Sequence, residues 1–266
     1  MFRDSELASI YNFRHFIFLA ILREIKIKYR RSYLGMLWIF VAPLSQILIY
    51  FVIFSHFMGA RIDTQANQYG YIIYLCIGIL LWSYFSELLT RLTNFYITYS
   101  DIIKKVSVPK IVFPAIILGS SLFNLFIIGI IFFIFCFIVN FIDLTFFLKF
   151  FFSVLMISFL ALSVGFLLST INVFVRDTSN IVQTFLQFSF WLTPIVYDIQ
   201  SVPQAFRFLI YLNPMAHCIK IAQSNFLQNQ SFDYLNIIYP VFFSFVFFLL
   251  ALKINNNLAH KIADEL

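Results

Sequence analysis

Six stretches of the chain are almost unbroken apolar runs, near 36–57, 70–91, 111–139, 146–171, 179–197 and 235–253. Each is about 19 to 29 residues long, enough for a helix rising about 1.5 Å per residue to cross about 30 Å of hydrocarbon. The third and fourth are joined only by Asn140–Thr145, which predicts a tight antiparallel hairpin. Ahead of the first run lies a shorter one, Phe16–Leu22, too short to span. The basic segment Arg23-Glu24-Ile25-Lys26-Ile27-Lys28-Tyr29-Arg30-Arg31 follows it. A secretory signal has the reverse order, with charge before the apolar run. Residues 1–35 therefore read as an in-plane amphipathic helix at the cytoplasmic face. A plain anchor of positive charge is the alternative. Between the fifth and sixth runs, Pro203 opens one short helix, and Asn213-Pro214 reads as an N-cap followed by proline at the first helical position. Met215, Cys218, Ile219, Ala222 and Phe226 then recur at helical spacing. These two helices predict a re-entrant pair dipping into the outer leaflet, with a flat interfacial hairpin as the alternative.

Composition turns the pattern into a class. Of 266 residues, 62% are hydrophobic and only 11% charged, and 38 are phenylalanine. Soluble domains carry about 25% charged residues, so a soluble enzyme, a disordered chain and a nucleic-acid-binding domain are all excluded. The expected fold is all-α and integral to the membrane: one six-span domain over 36–266 behind the interface helix of 1–35.

The net charge of +6 matters through its distribution. Residues 1–35, the second and fourth loops and the tail hold fourteen Lys and Arg; the other loops hold four. Cytoplasmic loops are the basic ones, so both termini are expected in the cytoplasm of a multi-pass inner-membrane protein.

Little catalytic chemistry is present. There is no GxxxxGK[ST], and no glycine is followed by lysine, so ATP phosphates cannot be cradled by a P-loop. Paired carboxylates, GxSxG and HExxH are absent. Cys76, Cys136 and Cys218 have no metal-ligand spacing and read as small hydrophobes; the four scattered histidines form no ligand cluster. Glu87 is the clearest carboxylate within a span, expected to have a local interfacial role without a basic partner. No internal repeat of the kind found in ion-coupled carriers is seen. The reading is a channel-forming subunit with no metal or cofactor of its own, driven by another chain. An ion-coupled carrier and a lipid-modifying enzyme are the rival classes.

Four segments carry a family resemblance. They are Leu22–Trp38 with Ala42-Pro43-Leu44; Ile102–Lys110; Asn172-Val173-Phe174-Val175-Arg176-Asp177; and Thr193-Pro194-Ile195-Val196-Tyr197 with Val202-Pro203 and Leu212-Asn213-Pro214-Met215. In this order they resemble polysaccharide-exporting ABC transporter permeases, the O-antigen and teichoic-acid export permeases among them. The resemblance covers nearly the whole chain. It implies a homodimer in membrane lipid and two copies of a separate cytoplasmic ATPase that holds ATP and Mg. It also implies a channel for an undecaprenyl-diphosphate-linked polysaccharide, of O-antigen type ahead of teichoic acid or capsule.

The same resemblance suggests roles. Ser100, Asp101, Ile102, Ile103, Lys104 and Lys105 are expected to contact the ATPase, with Asp101 capping a short helix and the isoleucines filling a groove. Arg23, Lys26, Lys28, Arg30 and Arg31 suit the carrier diphosphate, since guanidinium binds phosphate bidentately; general attraction to anionic lipid is the equal alternative. Arg176 and Asp177 read as a local ion pair, with Asp177, Thr178 or Ser179 capping the fifth span. Tyr50, Tyr74, Tyr84, Trp191 and Tyr197 are candidates to line the sugar path, because sugar C–H faces lie against aromatic planes.

Overall fold

The computed structural model describes residues 6–29, 70–105, 108–141, 143–197, 199–224 and 234–265, with isolated positions between 37 and 49. The first predicted span, together with Arg30, Arg31 and Tyr50, lies outside the described residues. Among those described, the helices are α1 (Glu6–Asn12), α2 (Arg14–Tyr29), α3 (Gly70–Thr93), α4 (Phe95–Thr98), α5 (Ser100–Lys105) and α6 (Val112–Ile138). They continue with α7 (Leu144–Phe174), α8 (Thr178–Trp191), α9 (Gln204–Tyr211), α10 (Pro214–Gln223) and α11 (Leu235–Glu265). Four are long and apolar enough to cross a membrane: α3, α6, α7 and the Leu235–Leu258 part of α11. They coincide with four of the predicted spans.

The fifth predicted span is shorter than expected. The run 179–197 is apolar throughout, but α8 ends at Trp191. Thr193 and Pro194 follow, and proline disfavours the helical conformation in the residue before it. Fourteen residues reach only about 21 Å. Among the described residues, no α-helix lies between α8 and α9.

α3 is the axis of the bundle, with buried residues on every side. It runs parallel to α7, and Gly165 allows their close approach: a Cβ there would lie 2.5 Å from Leu92 Cβ. α6 returns antiparallel to both and exposes Phe126, Phe137 and Ile138. Such an outward apolar face costs nothing in lipid.

The α6–α7 hairpin forms as its short link predicts. Asn140 has φ of 56°, the left-handed conformation that asparagine tolerates. Its N–H donates to the Phe137 carbonyl, and the Phe141 N–H donates back to the Cys136 carbonyl. This is a Schellman closure, which satisfies the last carbonyls of a helix and reverses the chain. Phe132, Phe133, Phe146 and Phe150 pack across the hairpin at ring distances of 5.3–6.3 Å.

The bundle has two distinguishable ends. At one, called here the charged end, α2 lies against α6 and reaches the C-terminal part of α3. At the other, the far end, α10 packs beside the start of α3 and α9 packs against α10. All three cysteine thiols are buried.

Candidate functional site: a broken helix, a charged junction and an exposed amide-aromatic face

The far end is built around the break after α8. Thr193, Ile195 and Val196 are fully or almost fully buried although their backbone is not helical. Non-helical backbone at membrane depth persists only where protein satisfies it. Here the Tyr74 hydroxyl donates to the carbonyls of Pro194 at 3.3 Å and Tyr197 at 3.2 Å. Tyr71 donates to Val196 O, and Gln223 Nε2 donates to the carbonyls of Tyr74 and Ile195. Asn213 is the N-cap of α10: its side chain accepts from the Met215 N–H at 3.0 Å, with Pro214 opening the helix as expected. Its Nδ2 also donates to Thr193 Oγ1 at 2.8 Å. His217 is a structural histidine, buried between Asn236 Oδ1 (2.8 Å) and the Tyr211 carbonyl (2.9 Å).

The charged end is an ionic junction of α2, α3 and α6. Arg91 Nη2 meets Glu24 Oε2 at 2.5 Å, and Nη1 donates to Ser120 and Ser121. Glu87 Oε1 lies 3.7 Å from Arg91 Nη1 and accepts from Asn124 Nδ2 at 2.8 Å. Glu87 therefore does have a basic partner at helical spacing, four residues on, because Arg91 still belongs to the last turns of α3. The Tyr99 hydroxyl donates to Glu24 Oε1. Burial, and then that bond to a carboxylate, hold its pKa well above the usual tyrosine value. Glu24, Ile25, Ile27, Glu87, Arg91, Ser120 and Asn124 enclose an open pocket of about 310 Å³.

Just past α3, Asn172 Nδ2 donates to Thr93 O and Asn94 Oδ1, while its own buried Oδ1 has no partner among the described residues. The Tyr96 hydroxyl donates to Asn255 Oδ1 on α11 at 2.8 Å. The segment α4–α5 thus rests on the ends of α7 and α11.

Within α5, Asp101, Lys104 and Lys105 are exposed and Ser100 is half-buried. Ile102 and Ile103 are half-buried against the chain's own core, so the groove they fill is internal. Asp101 lies within the helix at its second position, and does not precede it as a cap. At the start of α8 Asp177 is the N-cap by position but makes no side-chain cap bond; the Thr178 hydroxyl donates back to Val175 O. Arg176 and Asp177 are both exposed and form no ion pair. Two neighbouring side chains on a solvated turn gain little from pairing.

On α2, Arg23 and Lys26 are exposed, and the Lys28 side chain lies outside the described ones. Phe18, Leu19, Leu22 and Ile27 share that exposed face. The polarity of the face changes along the helix from apolar to cationic. The expected amphipathic division into two sides is not what it shows.

The aromatic candidates separate sharply. Tyr74 is 1% exposed and committed to the break, and Tyr84 is buried with its hydroxyl 2.6 Å from Ser158 Oγ. Both are core residues of the bundle, because a tyrosine hydroxyl inside it finds a partner there. Trp191 is 56% exposed, and half-buried Tyr197 donates to its carbonyl at 2.7 Å. Residue typing missed the face to which Trp191 belongs. Asn180, Gln183, Thr184 and Gln187 are exposed on α8 together with Phe185 and Phe188. Their signal was present as amides recurring within a predicted span, where uncommitted polar groups are costly.

The chain can now be set beside known proteins. The ABC-2 type transporter family matches residues 15–227, from α2 to just beyond α10. Two proteins of Klebsiella pneumoniae, each named O-antigen export system permease protein RfbA, are 27% and 26% identical over 251 residues, covering 92% of both chains. A Myxococcus xanthus protein of the same name is 25% identical over 237 residues, 83% of this chain and 84% of that one. With a family match across most of its length and apolar helices long enough to cross a bilayer, this chain belongs to the ABC-2 type transporters, as a multi-pass membrane subunit.

Proposed function

We propose that the chain is the transmembrane subunit of an ABC exporter that moves a lipid-linked polysaccharide of O-antigen type across the inner membrane. The observation that carries this is the near end-to-end likeness to O-antigen export permeases. The residues agree with it. Charged side chains in the four long spans are few: Glu87 and Arg91 in α3, Lys149 in α7 and Lys253 in α11. Glu87 and Arg91 serve each other, and Lys149 donates to Ser224 Oγ at 2.9 Å. No acidic relay of the kind that couples ions to transport is present among the described spans.

In this reading two copies pair around a channel, with both termini in the cytoplasm, and each docks one ATPase that supplies ATP hydrolysis. The exposed α5 residues Asp101, Lys104 and Lys105 meet the ATPase, while Ile102 and Ile103 tie α5 to the bundle. Arg23 and Lys26, with Lys28, Arg30 and Arg31 alongside, attract the carrier diphosphate or the anionic leaflet. The sugar path runs over α8, where Gln183 and Gln187 offer donors and acceptors and Phe185, Phe188 and Trp191 offer planes.

The test is deletion of the gene. Lipid-linked glycan accumulating inside the cell, with surface glycan restored by the plasmid-borne gene, is the expected result. Unchanged surface glycan would sink the reading. Charge reversal at Lys104 and Lys105 tests docking: the chain should remain folded while co-purified ATPase falls several-fold.

A further inference from the structure

The last helix, α11, is fastened by polar contacts near both of its ends. What it joins there carries an inference that rests on the reading above in which α5 docks the ATPase. We infer that α11 is a transmission rod: it carries displacement of the docking turn to the short helices α9 and α10 at the far end. Tyr96, Asn255, Asn236 and Tyr239 are the positioning residues that fasten it.

The charged end supplies the first fastening. Tyr96 lies in α4, one turn ahead of α5, and its side chain is fully buried. Its ring centroid is 4.0 Å from that of Phe95, which stacks on Phe166 of α7. The Lys110 ammonium, in the segment between α5 and α6, sits 5.8 Å from the centre of the Tyr96 ring. Chain on both sides of α5 therefore bears on one ring. A close-packed ring moves with its neighbours. Its hydroxyl donates to Asn255 Oδ1 at 2.8 Å, which passes the movement to α11.

The far end supplies the second. Asn236 Oδ1 lies 2.8 Å from His217 Nδ1 in α10, and the Tyr239 hydroxyl donates to the Leu212 carbonyl, just past α9, at 2.8 Å. The Tyr239 and His217 rings are 5.1 Å apart. His217 Nε2 donates in turn to the Tyr211 carbonyl. Both short helices are thus held to the same turn of α11.

Between the two fastenings α11 runs unbroken. Positions 236 and 255 are separated by about 28 Å of helix at 1.5 Å per residue. Pro240 deprives the Asn236 carbonyl of its helical partner, but the helix continues through it, and the Ser244 hydroxyl donates to the Pro240 carbonyl. One neighbour is also tied at both ends. In α7, Asn172 holds Asn94 and Lys149 holds Ser224. Burial separates the two helices. α7 packs between α3 and α11, with 56% of its span residues buried, against 17% for α11. Small sliding of packed helices is an established mode of conformational change, and lipid gives way to it on an outer side. α7 is the fixed rail and α11 the part that slides.

The experiment uses the chain with its ATPase in nanodiscs. A single cysteine at Phe206, 59% exposed on α9, carries an environment-sensitive fluorophore; the native thiols are buried. The reading is the change in fluorescence between the nucleotide-free complex and the complex with ATP and vanadate. Tyr96→Phe and Tyr239→Phe each delete one hydroxyl and keep the ring, and each should cut that change about fivefold. Together they should cut it no further than either alone, because both act in series on one rod. ATP hydrolysis should keep its rate throughout. Asn255→Ala breaks the charged-end contact from its half-buried side and should match Tyr96→Phe, which covers a Tyr96 variant that misfolds.

A response at Phe206 that survives Tyr96→Phe or Asn255→Ala would overturn the inference. So would losses that multiply in the double variant, which mark two independent contacts. ATP hydrolysis falling in step with the response would show a merely structural defect and overturn it too. A complex that exports glycan with no nucleotide response at Phe206 overturns the rod alone. Normal surface glycan in the deletion strain, with the response at Phe206 intact, overturns the export reading and leaves the rod standing.

Discussion

The side chains that brace the break after α8 are neutral: Tyr71, Tyr74, Gln223, Thr193 and Asn213. Those that join α2 to α3 are ionic: two carboxylates share one guanidinium. Both sets hold polar atoms within an apolar protein, yet they differ in closure. Around the break, Tyr71, Tyr74 and Gln223 direct donors at backbone carbonyls, and removing Tyr74 or Gln223 leaves a carbonyl orphaned in a dry place. At the junction the partners are partly solvated, and a volume remains open beside them. The first arrangement suits a fixed brace. The second suits a joint whose strength depends on the solvent around it.

The largest way to break the comparison is to disturb both ends together. Gly165→Leu places a side chain where Leu92 Cβ already sits and forces α3 from α7. Overpacking of this kind costs about 3 kcal/mol, and the expected outcome is loss of monodisperse protein on size exclusion in detergent.

Next is the far end alone. Gln223→Leu removes the donor to the carbonyls of Tyr74 and Ile195. An unsatisfied buried carbonyl costs about 2 kcal/mol, which for a chain of this size lowers the thermal midpoint by roughly 4–8 °C. The decrease should be the same at low and high salt.

The charged end should respond less and depend on salt. Arg91→Leu removes the guanidinium that Glu24 and Glu87 share, and water reaches both carboxylates. The expected loss is about 1–2 kcal/mol, between the exposed and buried limits for ion pairs. It should shrink as salt rises, and Glu24→Gln should restore part of it in a double-mutant cycle. Equal salt response at both ends would erase the distinction. The smallest effect sharpens it: Asn213→Ala removes one cap and its bond to Thr193, worth about 1 kcal/mol and insensitive to salt.

Four of the six predicted spans were legible because a long apolar run needs no partner to be recognised. The Asn213-Pro214 start of α10 was legible because capping is local. The early end of α8 was harder to read, since its sequence remains apolar past Trp191. Tyr74 and Gln223, 149 positions apart, are among the side chains that make a broken backbone tolerable there. The Glu24–Arg91 pair joins residues 67 apart, a distance at which no pattern of spacing applies. Tyr74 and Tyr84 show the same limit from the other side. Residue type suits a sugar surface, but tertiary contacts assign both hydroxyls to the interior.

The sealed thiols have a practical consequence. Cys76, Cys136 and Cys218 are the chain's only cysteines, and each is packed inside the bundle. A maleimide or spin label should therefore leave the folded native chain unmodified. A single cysteine introduced at Lys104, at Ile27 or at Gln187 would then be the lone reporter. Distances between such labels would follow α5, α2 and the exposed face of α8 with the native cysteines left in place.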